Sequence, residues 1–246
     1  MIFNHLSILL AFITLLLLGA SHSEAGLDSR VKEHPYVYED VEMRGWRDIL
    51  IDSTGIPEAA LDLALRGYLQ LLQQRKLTND TLLTLIDFSK PSTEKRLHLV
   101  DMRNGRLIRS MLVAHGRNSG MLTAEHFSNE ISSNMSSLGL YLTGTTYEGK
   151  HGYSLRLTGI SKGFNDNALQ RAVVIHGADY VCGDFLIRNG RIGRSFGCPA
   201  VSYDESVELI DMIKGGSCLF IYHPAILAIS PNASGKSSFI PSLSRL

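Results

Sequence analysis

Apolar and polar positions change their period more than once along this chain. From Ser7 to Ala20 the residues are almost wholly apolar and uncharged, about 14 residues where a membrane-spanning helix needs ~20. Polar Ser21 to Glu24 follow, with small residues Ser23 and Ala25 at the spacing a signal peptidase prefers. Residues 1–25 therefore read as a cleaved signal peptide, although no Lys or Arg precedes the apolar run. An uncleaved anchor is the other reading, and both export the rest of the chain. Residues 26–56 show no clear period. From Pro57 the pattern turns helical, with Leu61, Leu65, Tyr68, Leu69 and Leu72 on one face and Pro57 suited to a first helical position. A second short helix is expected from Asp80 towards Leu85.

From Ile86 the texture is that of strands. Leu97, Val100 and Met102 lead into Asn104-Gly105, and Leu107 to Val113 follow, which is a hairpin signal. Short apolar runs alternate with polar, Gly-rich segments through Leu157. Ala172-Val173-Val174-Ile175 reads as a buried strand that ends at His176-Gly177. Ser202 with Glu205 predicts a capping box for a helix over about Tyr203 to Lys214, stopped by Gly215-Gly216. Cys218 to Tyr222 is a last strand, and the Ser- and Pro-containing residues from about 229 read as a loose tail. The fold class is mainly β with peripheral helices, divided into a helical segment at 26–84, a β-rich domain at 85–225 and a tail at 226–246.

Composition narrows the function classes. The chain has 246 residues with 24 Lys plus Arg against 24 Asp plus Glu, which argues against nucleic acid as a partner, since that binding leans on excess cations. No repeat and no long low-complexity tract is present. The three cysteines are an odd number for an exported chain and point to at least one reactive thiol. Cys182 and Cys218 could pair in an oxidising compartment, or Cys218 could be a free thiol packed in its apolar run.

The sharpest local feature is Ser195-Phe196-Gly197-Cys198-Pro199-Ala200. A catalytic thiol is expected where its pKa falls and where backbone N–H groups face a developing oxyanion. Gly197 permits the close backbone approach such a turn needs. His176-Gly177 stands 22 residues before Cys198, with 17 residues between Gly177 and Ser195. A histidine at a strand end can reach a thiol on the next loop and take its proton.

These residues resemble the L,D-transpeptidase (YkuD-like) catalytic domain, whose signature is His-Gly, a loop, then Ser-His/Thr-Gly-Cys. The resemblance is to a divergent murein L,D-transpeptidase branch and extends to Val-Ala-His-Gly at 113–116, Phe-Ser-Asn at 127–129, Ser-Ser-Leu-Gly at 136–139, Asn165-Asp166-Asn167-Ala168, Arg171 and Gly193 to Ala200, over roughly residues 85–225. It implies a β-sandwich or barrel with a small N-terminal helical segment. It also implies that Cys198 attacks a peptide carbonyl in a peptidoglycan stem, forming a thioester, with D-alanine leaving and an amine or water resolving the intermediate. His176 would activate the thiol, the Gly177 carbonyl would orient its ring, and N–H groups of Gly197 and Cys198 would hold the oxyanion. No metal or organic cofactor is implied, no partner protein can be inferred, and the expected location is the periplasm or cell envelope.

Two positions depart from the signature. Phe196 replaces His or Thr, and Pro199-Ala200 stands where the family has an apolar residue followed by Arg or Asn. Arg194 or Arg171 could supply the missing charge to a stem carboxylate. Ser195 and His115, the latter in a second His-Gly pair, are further substrate-binding candidates. Tyr141, Tyr147 and Tyr153 could stack on glycan or simply pack. Water as acceptor would make the enzyme an L,D-carboxypeptidase, and an inert Cys198 would leave a cell-wall-binding module.

Overall fold

A computed structural model of the chain describes residues 47–52 and 54–228, all within one unit, Met43–Leu246. The expected signal peptide and the tail from 229 lie outside the described residues. Helix α1 (Glu58–Gln73) precedes strands β1 (Leu82–Asp87), β2 (Leu97–Asp101) and β3 (Arg106–Met111). Then come β4 (Gly139–Gly149), β5 (Gly152–Gly159), β6 (Val174–Ala178), helix α2 (Gly183–Asn189) and β7 (Ala200–Ser202). Helix α3 (Tyr203–Ile213), β8 (Cys218–Tyr222) and the short helix α4 (Ala225–Ala228) complete the order.

The eight strands form one sheet in the order β3-β2-β1-β8-β4-β5-β6-β7. Neighbours are antiparallel except β1 with β8 and β6 with β7. The ends of the sheet meet: Ala114, just beyond β3, pairs with Ala200 in β7, and Gly116 pairs with Ser195. The sheet thus curls towards a barrel, which leaves less unpaired edge than an open layer. Helix α1 buries Ala60, Leu61, Ala64, Tyr68 and Leu71 and lies against β1 and β8, while α3 packs on β5, β6 and β7. A smaller apolar cluster of Ala114, Ala178, Val181, Ile192 and Ala200 fills the seam.

Several elements differ from the sequence reading. The helix expected from Asp80 to Leu85 is strand β1. All six β1 residues are buried because α1 packs on β1 and its side chains share the main core, and a strand covered on both faces loses its alternation. The expected boundary at 84/85 therefore falls inside a strand, and α1 shares the main core with the sheet. The strand expected from Ala172 starts at Val174 and runs to Ala178, so His176 lies in its middle; Ala172 itself has φ +52. Ser202 does not cap the α3 backbone, because its hydroxyl bonds the Glu205 carboxylate at 2.9 Å. The segment after Gly177 contains α2, capped by the Cys182 sulfur. Ile226 is buried, so 226–228 belong to the packed structure. The 101–106 hairpin forms as expected, with Gly105 at φ +58 and Asp101 accepting from the N–H groups of Arg103 and Asn104.

Candidate active site

Cys198 stands two residues before β7 and is carried alongside β6. The two strands run parallel with His176 opposite Ala200, so the register continued backwards sets Cys198 beside Val174. His176 is then one diagonal step from the thiol, a Cα separation on the order of 8 Å from strand spacing and rise. The sulfur donates to the Ala172 carbonyl at 3.7 Å, and the Val174 N–H approaches it from β6. Among the described residues no hydrogen bond joins thiol and imidazole. Catalytic contacts of this kind commonly tighten only when substrate binds.

Burial pushes the Cys198 thiol above its ordinary pKa, against the opposing pull of the Val174 N–H and the Arg171 charge. The expected depressed value is therefore not found. Removing water from the sulfur costs the thiolate more than one N–H and one nearby cation restore, and the resting group is a protonated thiol.

The turn that presents it is held by Ser195. Its hydroxyl accepts from the Gly197 N–H at 3.0 Å and donates to the Cys198 carbonyl at 2.6 Å. Ser195 thus braces the loop from a buried position, and the Gly197 N–H expected in an oxyanion hole is already engaged. The Cys198 N–H makes no backbone hydrogen bond among the described residues. Gly197 has φ +123, and a Cβ there would stand 2.7 Å from the Met135 carbonyl oxygen, so only glycine fits.

His176 is buried, and its Nδ1 lies 2.9 Å from the Gly177 carbonyl oxygen. A carbonyl only accepts, so Nδ1 carries the proton and Nε2 keeps its lone pair. Burial holds the ring below its ordinary pKa, against the Gly177 bond and with His151 adding to the lowering; at neutral pH the imidazole is an unprotonated base. A side chain at Gly177 would meet Tyr203 and Ser206 on α3 at 2.5 and 2.8 Å, which ties the base to its supporting helix.

Arg171 closes the other side of a cleft of about 270 Å³ that Cys198, Gly197, Phe196, Ile131 and Val173 also line. Its guanidinium donates to the carbonyls of Ser128 at 2.6 Å and Met135 at 2.5 Å, and to the Ser133 hydroxyl at 3.4 Å. That clamps the 128–135 segment, where Ser132 and Asn134 adopt φ +62 and +53. With Ala172, three non-glycine residues around the thiol hold left-handed backbone, a strained arrangement that the surrounding contacts must enforce.

The other candidates lie elsewhere. His115 is fully buried, accepts from Arg96 at 2.7 Å, and is held near pKa 4 by burial and the Arg96 charge. Its backbone carbonyl accepts from the Ser195 N–H, so this His-Gly pair supports the cysteine loop without lining the cleft. Arg194 donates from Nη1 to the carbonyls of Arg117 and Gly120 at 2.8 and 2.9 Å and does not line the cleft. Tyr141 is buried against Ser137, Tyr147 lies under Arg156, and Tyr153 bonds Asp211. All three cysteines are free; Cys218 is buried in β8, and Cys182 caps α2. The sequence reading missed Ala172 and Val174 as neighbours of the sulfur, and His151, whose ring lies on His176. No local motif marks them, because they arrive through strand pairing.

The curled sheet thus presents a cysteine near a strand-borne histidine whose ring is oriented by a carbonyl. The model of the L,D-transpeptidase catalytic domain matches residues 52–222, and the chain belongs to that family. Among solved structures, an L,D-transpeptidase from Mycobacterium smegmatis is 13% identical with TM-score 0.37, over 58% of this chain and 59% of that one. L,D-transpeptidase 3 from Mycobacterium tuberculosis, solved in complex with a faropenem-derived adduct, is 11% identical with TM-score 0.38, over 58% and 60%. An L,D-transpeptidase from Stackebrandtia nassauensis is 14% identical with TM-score 0.36, over 66% and 65%. The chain thus spans less than two thirds of the length of these structures. No curated protein matches the sequence.

Proposed function

We propose that this protein is a cysteine-dependent peptidoglycan L,D-transpeptidase. The observation that carries the reading is the pairing of Cys198, in a cleft with Arg171, with a neutral His176 whose Nδ1 is occupied by Gly177. Cys198 gives its proton to Nε2 of His176, and the sulfur bonds to the carbonyl carbon between the L-centre of the third stem residue and terminal D-alanine. The oxyanion meets the Cys198 N–H. On collapse the C–N bond breaks, the leaving nitrogen takes the proton from His176, and D-alanine departs from a thioester. The amine nitrogen of a second stem then bonds to the thioester carbon and gives a proton to His176; the C–S bond breaks, and the sulfur takes that proton back to restore the resting thiol. Arg171 has used three donors on the protein, which leaves part of a five-donor fork for a stem carboxylate.

Incubating the protein with purified peptidoglycan stems, followed by mass spectrometry, tests this reading. D-alanine loss with a new cross-link is expected; loss without cross-link makes it an L,D-carboxypeptidase, and an inert thiol makes it a binding module. The uncharged run at Ser7–Ala20 supports action outside the cytoplasm. N-terminal sequencing of exported material should then begin near Gly26.

A further inference from the structure

His176 has a neighbour on each side of its strand. The segment leading into β7 carries the thiol past one side; on the other, β5 pairs antiparallel with β6, Ser154 opposite His176. Three residues before Ser154, in the turn between β4 and β5, stands His151. A bulge between Thr143 and Thr146 shifts the β4–β5 register, a device that bends a hairpin and re-aims its tip. The tip brings the His151 ring onto the His176 ring, centroids 4.4 Å apart and planes 26° from parallel. His151 is exposed, and its ring makes no hydrogen bond among the described residues. The stack is the ring contact that holds it there.

We propose that His151 is a positioning residue of the thiol site, a ring that covers one face of His176 and holds the imidazole in the orientation that the Gly177 carbonyl sets. The Gly177 carbonyl fixes Nδ1, but a single hydrogen bond does not by itself set the tilt of the imidazole about it. A near-parallel ring at stacking distance blocks that tilt and shields one face from water. Stacked rings point their N–H bonds sideways, away from each other, so the arrangement suits holding and not direct proton passage. A phenyl ring can do the same work.

This inference rests on the reading of Cys198 and His176 as nucleophile and base. Wild type, His151→Ala and His151→Phe are compared by iodoacetamide alkylation of Cys198, by kcat and KM for D-alanine release from a tetrapeptide stem, and by thermal unfolding. His151→Ala should slow alkylation and kcat about tenfold with KM and melting temperature little changed, since the loss is one of orientation. His151→Phe should restore most of that rate. An active wild type matched by His151→Ala overturns the inference alone, and so does His151→Phe that is as slow as His151→Ala. A wild-type thiol inert to stems overturns the underlying reading and this one with it.

Discussion

Arg96 donates a hydrogen bond to Nδ1 of His115 at 2.7 Å, and this contact separates the two His-Gly pairs of the chain. His115 has its acceptor nitrogen filled by a guanidinium and turns Nε2 to the Gly120 carbonyl. His176 has its donor nitrogen held by a carbonyl, and its other nitrogen makes no hydrogen bond among the described residues. Only the second arrangement leaves a base.

His176→Ala should slow D-alanine release at least ~100-fold, the range of a lost general base. His115→Ala should act through stability, because it strips a partner from buried Arg96; a loss of about 1–3 kcal/mol is expected. Stem kinetics and chemical denaturation on both variants check this. Loss of chemistry with intact stability in His115→Ala, and not in His176→Ala, would reverse the assignment.

The alkylation profile of free Cys198 should have its midpoint above the ordinary thiol value of about 8.5, because burial raises the thiol. Arg171→Lys keeps the charge but loses the planar fork, so it should cost stem turnover more than ~10-fold while moving that midpoint little. Arg171→Met should move the midpoint further up, since the cation favours thiolate. Iodoacetamide rates against pH, read beside D-alanine release, distinguish the two effects.

Gly197→Ala should abolish acylation and lower stability by about 1–3 kcal/mol, given its positive φ and the 2.7 Å approach to Met135. Gly183→Ala, where an added Cβ meets nothing within 4 Å, should be neutral or stabilising by up to about 1 kcal/mol. Denaturation midpoints and carbamidomethylation of Cys198 compare them.

Stability should fall on acidification through the histidines. Burial holds both His98 and His115 near pKa 4, below the ~6.5 of an unfolded chain. Between those values the unfolded state binds more protons, so stability is full above pH ~6.5 and declines as pH drops towards 4. The slope should amount to on the order of 2–3 kcal/mol per histidine over that window. Urea midpoints against pH measure it, and His98→Asn should reduce the slope.

What the amino-acid sequence determined is local chemistry and local geometry. The Asn104-Gly105 turn, the helix after Pro57, the Cys198 loop and the His176-Gly177 pair are all readable because each depends on residues close in the chain. The helix expected at Asp80–Leu85 failed for the complementary reason: Leu82 to Asp87 take their strand conformation from β2 and β8 on either side, and two-sided burial erases the period that would announce it.

Only the tertiary structure decided the surroundings of the candidate site residues. Burial by the cleft raised the Cys198 thiol; Arg171 gave three donors to a segment some forty residues away in sequence; Arg194 and His115 bond to neighbouring loops. His151 met His176 across a strand pairing. Desolvation and hydrogen-bond occupancy belong to the folded arrangement of many elements, so residue type and spacing can nominate a nucleophile and a base but cannot say which donors remain free or which way a pKa moves.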